Sequence, residues 1–257
     1  VDQRLALQRK PRDDEMAHQL MMTATPIPRT MAMSIYADLD YSQIDEMPPG
    51  RKPVTTSIIS EQQRDSLIRR VAGACAEGGQ VYWVCTLIEE SDALQCEAAE
   101  MTYDLLCQQL PQLSVGMVHG RLKPAEKEAT INAFKNKEID ILVATTVIEV
   151  GVDVPNASIM IIENPERLGL AQIHQLRGRV GRGARESFCI LLVRSNLSEL
   201  ARTRLEIIRS TQDGFAIAEK DLELLCAGEV LGTRQTGEMS FKIADLMRDQ
   251  QWFAQVE

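Results

Sequence analysis

The run Gln175-Leu176-Arg177-Gly178-Arg179-Val180-Gly181-Arg182-Gly183 sets Arg179 and Arg182 three apart among glycines, after a short helical stretch. A guanidinium keeps its charge at physiological pH and forks onto phosphate oxygens. Glycine lets backbone and ligand approach closely. The run therefore suits phosphate contact; the plain alternative is a solvated basic loop.

A second candidate spans Ile141 to Pro155. Its apolar stretch reads as a buried strand that delivers Thr145 and Thr146 to its carboxyl end. Their hydroxyls, with amides at the start of a following helix, suit a phosphate backbone. Gly151 permits a turn, and Asp153 is placed to accept from a ribose hydroxyl. An ordinary strand–loop–helix junction is the alternative. Thr23-Ala24-Thr25-Pro26 and His119-Gly120-Arg121 also end apolar runs. Alone, either is as well read as a strand end with a satisfied polar residue.

The elements that must position these residues follow from hydrophobic pattern. Leu20–Thr25 reads as a short strand stopped by prolines, and Thr30–Ala37 as a helix. Met47 to Pro53 is rich in proline and is the best linker candidate. From there the spacing predicts strands at Val54–Ile59, Val81–Thr86, Ser114–His119, Ile139–Thr145, Ser158–Glu163 and Ser187–Val193. Helices are predicted at Glu61–Glu77, Ser91–Leu110 with Ser91 as N-cap, Pro124–Asn136 and Gln172–Gly178. Apolar runs without alternation, separated by helices, mean a parallel sheet covered on both faces, a doubly wound α/β fold. Ligands in such folds bind at the carboxyl ends of the strands, where the motifs sit. After Arg194 two helices are expected, Leu197–Thr211 and Gly214–Leu225, then an irregular loop from Gly228 to Gly237.

The chain has 257 residues and a net charge of −9. An acidic protein argues weakly against nucleic acid as a partner, but charge distribution matters more than the sum. From Arg167 to Arg185 inclusive there are five arginines and no acid. No stretch of about 18 apolar residues is present, so no membrane helix is expected. Six cysteines occur without a CxxC pair and only three histidines accompany them, which predicts reduced, mostly buried thiols and no metal site. The chain opens on Val1-Asp2-Gln3-Arg4 without Met or a signal pattern and reads as a piece of a longer protein.

Taken in order, Thr23-Ala24-Thr25, Thr145 to Asp153 and Gln175-x-x-Gly178-Arg179-x-x-Arg182 resemble motifs III, V and VI of the superfamily 2 helicases. Three further runs narrow the likeness: Met22 to Thr30, Trp83 to Ser91 and Gly232-Thr233-Arg234-Gln235-Thr236-Gly237. They resemble the RecG family of bacterial branched-DNA helicases over nearly the whole chain.

That resemblance implies a three-layer RecA-like parallel sheet plus a C-terminal helical hairpin and loop. It divides the chain into the end of a first helicase lobe with its linker (1–52), a second lobe (53–196) and a translocation element (197–257). It implies ATP and Mg2+ as cofactors, held mainly by a first lobe. No GxxxxGK[ST] occurs in this chain, so the isolated fragment is expected to be inactive. Arg179 and Arg182 would reach the γ-phosphate, Gln175 would couple nucleotide to DNA, and Gly151 and Asp153 would meet the ribose. His119, Gly120, Thr145 and Thr146 would contact DNA, and Thr23 and Thr25 would link the lobes. In the tail, Arg204, Arg209, Arg234 and Gln235 would contact DNA. Leu225-Cys226 stand where the family has an Arg-Gly pair, which puts the path of that loop in question. The implied partner is branched double-stranded DNA, met by a monomer in the bacterial cytoplasm near the nucleoid, in recombination and repair. Two other readings are a transcription-repair coupling translocase of the Mfd type and a non-catalytic DNA-binding module.

Overall fold

The computed structural model describes residues 51–86, 92–145 and 154–230, with isolated positions before residue 51. The strand expected at Leu20–Thr25, the helix at Thr30–Ala37, the Ser91 cap and the loop beyond 230 lie outside the described residues.

The described residues contain six strands: β1 (Val54–Ser60), β2 (Gln80–Cys85), β3 (Val115–Val118), β4 (Ile141–Ala144), β5 (Ala157–Glu163) and β6 (Ser187–Val193). They form one sheet in the order β1-β6-β5-β2-β4-β3, and every pairing is parallel. The crossovers carry α1 (Arg64–Ala76), α2 (Asp92–Gln109), α3 (Pro124–Lys135) and α4 (Leu170–Arg177); α5 (Glu199–Ser210) and α6 (Gly214–Val230) follow the last strand.

Strand alternation divides the interior into two cores. Val81, Trp83 and Cys85 of β2 point to one face, with Leu67, Ile68 and Val71 of α1 and Ala99 and Leu106 of α2. Tyr82 and Val84 point to the other, where Phe134 of α3 and Leu170, Ile173 and Leu176 of α4 pack. The Tyr82 and Phe134 rings meet with centroids 4.9 Å apart. The result is three layers: helices, sheet, helices.

Several element ends differ from expectation. The first turn expected of α1 is a 3-10 turn, Glu61–Gln63, capped by the Ser60 side chain. α4 begins two residues early, where the Gln172 side chain accepts from Gly169 N at 3.0 Å. α5 begins at Glu199 because the Ser198 hydroxyl caps Ala201 N at 3.2 Å. α6 runs to Val230, so Gly228 is helical and not the first loop residue. One glycine costs about 1 kcal/mol in a helix, too little to stop four turns that are already packed. Leu205 and Ile208 of α5 and Ile217 of α6 lie in the same core as α4. The two helices are thus built onto the sheet domain. All described cysteines are free, and all but Cys107 are buried. Burial pushes the Cys85 thiol up to about 11, which keeps it protonated.

Candidate functional site

α4 delivers the arginine run. Leu170, Ile173 and Leu176 bury one face and leave Gln175 half-buried on another. The helix closes at Gly178, whose N–H donates to His174 O at 3.0 Å, and Arg179 N then donates to Leu176 O at 2.9 Å. Val180 is fully buried, flanked by half-buried Arg179 and exposed Arg182. Arg182 Nε donates to Gly178 O at 3.1 Å. From the start of β1, Arg51 donates to the same carbonyl at 3.1 Å and to Val180 O at 3.5 Å.

Two glycines let this loop lie where it does. Gly181 has φ +76, and a Cβ there would come within 2.7 Å of Val54 Cγ2. A Cβ on Gly183 would sit 2.3 Å from the Pro155 carbonyl oxygen. The loop is therefore pressed between the start of β1 and the segment that leads into β5, at the amino ends of these strands and not at the carboxyl ends where the motifs were expected, because α4 runs back across the sheet before the loop begins. Both runs singled out in the sequence, Gln175–Gly183 and Ile141–Pro155, are brought into contact at Gly183 and Pro155.

Arg177 lies in the same run but was not singled out in the sequence, and the structure turns it inward. It is 3 % exposed. Its Nη1 donates to Ile208 O at 2.6 Å and Thr211 O at 2.9 Å, both at the end of α5. The same nitrogen reaches Thr56 Oγ1 at 3.4 Å. Its Nη2 lies 2.9 Å from His174 Nδ1. A cation at a helix C-terminus satisfies orphan carbonyls and complements the helix dipole. Burial, then the Arg177 and Arg51 charges against an opposing pull from Asp213, hold His174 down to about 4. Its ring is thus neutral at pH 7, and Nδ1 accepts from Arg177.

At the other end of the sheet, Val118 and Ala144 are in register, so His119 and Thr145 emerge side by side. Both are buried, at 6 % and 2 % exposure. Thr145 N donates to Val118 O at 3.2 Å. His119 Nδ1 is buried without a hydrogen-bond partner among the described residues. Gly120 is exposed with open space where a Cβ would be, and its carbonyl accepts from Lys127 Nζ at 3.0 Å. Thr23, Thr25, Thr146, Gly151, Asp153, Arg234 and Gln235 lie outside the described residues.

The two tail arginines on α5 differ from each other. Arg204 turns onto the lobe and donates to Leu168 O at 3.0 Å, just before α4. Arg209 is exposed and pairs with Glu206 at 2.6 Å. α4 and α5 are consequently fastened twice, by Arg177 at one place and Arg204 at another.

Between these regions the ends of β2 and β5 are latched. Glu163 accepts from Trp83 Nε1 at 2.5 Å and pairs with Arg64. Thr86 Oγ1 donates to Glu163 O at 2.5 Å, and Asn164 Nδ2 donates to Thr86 O at 3.3 Å. Asn164 is in the left-handed region, φ 48, where the chain turns toward α4. Among the described residues no cluster of three or more His, Cys, Asp or Glu could hold a metal ion. No described helix is long and apolar enough to cross a membrane.

Comparison with known proteins agrees with this geometry. The sequence profile of the helicase conserved C-terminal domain matches residues 62–184. That of domain 3, C-terminal, of the ATP-dependent DNA helicase RecG matches residues 211–257. The chain is 62% identical to the ATP-dependent DNA helicase RecG of Escherichia coli (strain K12) over 259 residues, 100% of this chain and 37% of that protein. It is 48% identical to the RecG of Thermotoga maritima over 250 residues, 97% of this chain and 32% of that protein. The chain thus spans about a third of the length of these relatives. A structure of RecG bound to a three-way DNA junction superposes with TM-score 0.73 at 44% identity, covering 93% of this chain and 31% of that one. Yeast Dbp5 bound to RNA and ADP BeF3 superposes with TM-score 0.53 at 16% identity, covering 77% and 51%, a likeness of fold alone.

Proposed function

We propose, on the premise that this chain belongs to the RecG family of ATP-dependent DNA helicases, that it is the second motor lobe and translocation element of an enzyme that remodels branched DNA. Its division at residues 52 and 196 is part of this reading. The observation that carries it is the arginine loop. Arg179 and Arg182 stand on a backbone held by Arg51, Gly181 and Gly183, which supports presenting two guanidinium groups to a terminal phosphate. That donor set suits a nucleoside triphosphate. ATP supplies the free energy of phosphoanhydride cleavage when bound. Gly151 and Asp153 complete the nucleotide side by receiving the ribose, and Gln175 relays its state. Mg2+ belongs to acidic residues of the other lobe.

His119, Gly120 and Thr145, at the carboxyl ends of β3 and β4, contact the DNA backbone, and Thr146 shares that role. Thr23 and Thr25 join the lobes. Arg234 and Gln235 reach the duplex. Arg209 presents a partly neutralised cation to it, and Arg204 acts through its hold on Leu168. Because Arg177 and Arg204 tie α4 to α5, a displacement of the arginine loop on nucleotide binding is carried into α5 and the tail. The RecG-specific match over residues 211–257 supports this reading over the Mfd-type translocase. The enzyme acts as a monomer in the bacterial cytoplasm.

The test is DNA-stimulated ATP hydrolysis by the longer protein that contains this chain, with a branched duplex as cofactor. Arg179→Ala and Arg182→Ala should each lower kcat about 100-fold or more and leave DNA affinity within about threefold. Full turnover in both variants would sink the motor reading.

A further inference from the structure

An open groove of about 450 Å³ lies where the ends of β1 and β6 meet α5. Its floor is apolar, with Ile58, Leu197 and Leu205, and its rim carries Arg194, Arg202 and Arg209. Among the described residues no acidic side chain lines it. Arg209 shares its charge with Glu206. The side chains of Arg194 and Arg202, both exposed, have no hydrogen-bond or ion-pair partner among the described residues. Three guanidinium groups from two elements thus converge on one apolar-floored site, on a chain of net charge −9.

The location favours one occupant. Ser60 and Val193 end β1 and β6 at the same edge of the sheet as His119 and Thr145. β6 is three strand positions from β4, and β1 is five from β3. At 4.7–4.9 Å per step these are about 14 Å and about 24 Å. A duplex lying along this edge extends that far in roughly seven base pairs at 3.4 Å each. Arg202 and Arg209 are two helical turns apart, about 10 Å, the reach of about three successive phosphates on one strand. The apolar floor suits the hydrocarbon edge of deoxyribose.

We infer that this groove is a second phosphate-backbone site, which holds a duplex arm beyond the strand-end threonines through Arg194, Arg202 and Arg209. It rests on the DNA-motor reading and adds to it a contact that the helicase motifs do not contain. Charge neutralisation here is independent of base sequence and of nucleotide.

Fluorescence anisotropy of this chain with a labelled 25-base-pair duplex, titrated across a range of KCl concentrations, tests it. The paired substitution Arg194→Ala/Arg202→Ala should weaken binding about tenfold or more at low salt. It should also flatten log K against log[KCl] by about two, near 0.9 for each phosphate no longer neutralised. Arg194→Lys/Arg202→Lys should restore the slope. An unchanged slope in the alanine pair, with wild-type DNA binding intact, overturns the groove and leaves the motor reading standing. Failure of the wild-type chain to bind any duplex overturns the groove, while the motor reading is decided by DNA-stimulated ATP hydrolysis in the longer protein. An acidic peptide with one aromatic residue is the competing ligand. If the alanine pair loses that peptide while its DNA slope is unaltered, the groove serves a protein partner and the inference is wrong.

Discussion

The Arg177 guanidinium donates to the Ile208 carbonyl at 2.6 Å, across 31 residues of sequence, and so fastens the helix bearing the arginine pair to the last turn of α5. Removing it leaves two carbonyls and His174 Nδ1 without their donor inside the lobe. Arg177→Ala should destabilise the chain by about 2–4 kcal/mol, the range for disrupting a buried hydrogen-bond network. Arg177→Lys keeps the charge but cannot fork, and should cost about half as much. Urea denaturation followed by circular dichroism reads both. A midpoint unmoved by the alanine substitution would show that these hydrogen bonds carry no net stability.

Two glycines in the same loop should behave unlike a third at the sheet edge. Gly183→Ala puts a methyl 2.3 Å from Pro155 O, and Gly181→Ala combines a positive φ with a contact to Val54. Each should cost about 1–3 kcal/mol. Gly120→Ala meets open space and should leave the thermal midpoint within a degree or two, though DNA affinity is still expected to fall if backbone approach matters there. Equal losses at all three positions would contradict the geometry.

The neutral His174 predicts an acid limb in stability. Folded, it binds a proton only near pH 4; unfolded, it does so at its ordinary value of 6.5. Between these values the unfolded chain holds more protons, so stability falls as pH drops from about 6.5 toward 4 and this contribution levels off below. Above 6.5 the ring is neutral in both states and adds no pH dependence. Denaturation midpoints measured from pH 8 to pH 4 should show the decline, and His174→Gln should flatten that limb. An identical limb in the variant would assign the effect to other groups.

Glu163 joins Arg64 on α1 to Trp83 on β2. Glu163→Leu leaves a partly buried cation and an indole N–H unpaired, which should cost about 2–4 kcal/mol. Glu163→Gln keeps an acceptor and should cost about 1 kcal/mol. Thermal unfolding distinguishes them, and a leucine variant as stable as the parent would refute the latch.

The order and type of the described elements were legible in the chain itself. Runs such as Val81–Cys85 and Ile141–Ala144 are too uniformly apolar for a half-exposed strand, and intervening helical stripes leave a covered parallel sheet as the consistent answer. The pairing of arginine with glycine from Gly178 to Gly183 was legible too, because charge and backbone freedom are local properties. What Arg177 and Arg204 do was not. Their residue type matches the neighbouring phosphate candidates, and only folding brings Ile208 O, Thr211 O and Leu168 O within their reach. The start of α5 follows from the local Ser198 cap, whereas the docking of α5 and α6 came from packing: Ile208 and Ile217 share a core with α4, and α6 runs on past a glycine. Sequence by itself determined which groups this protein has for phosphate. Tertiary structure decided that Arg177 and Arg204 turn inward to hold the fold, since burial turns a cation toward whichever carbonyls lie nearest.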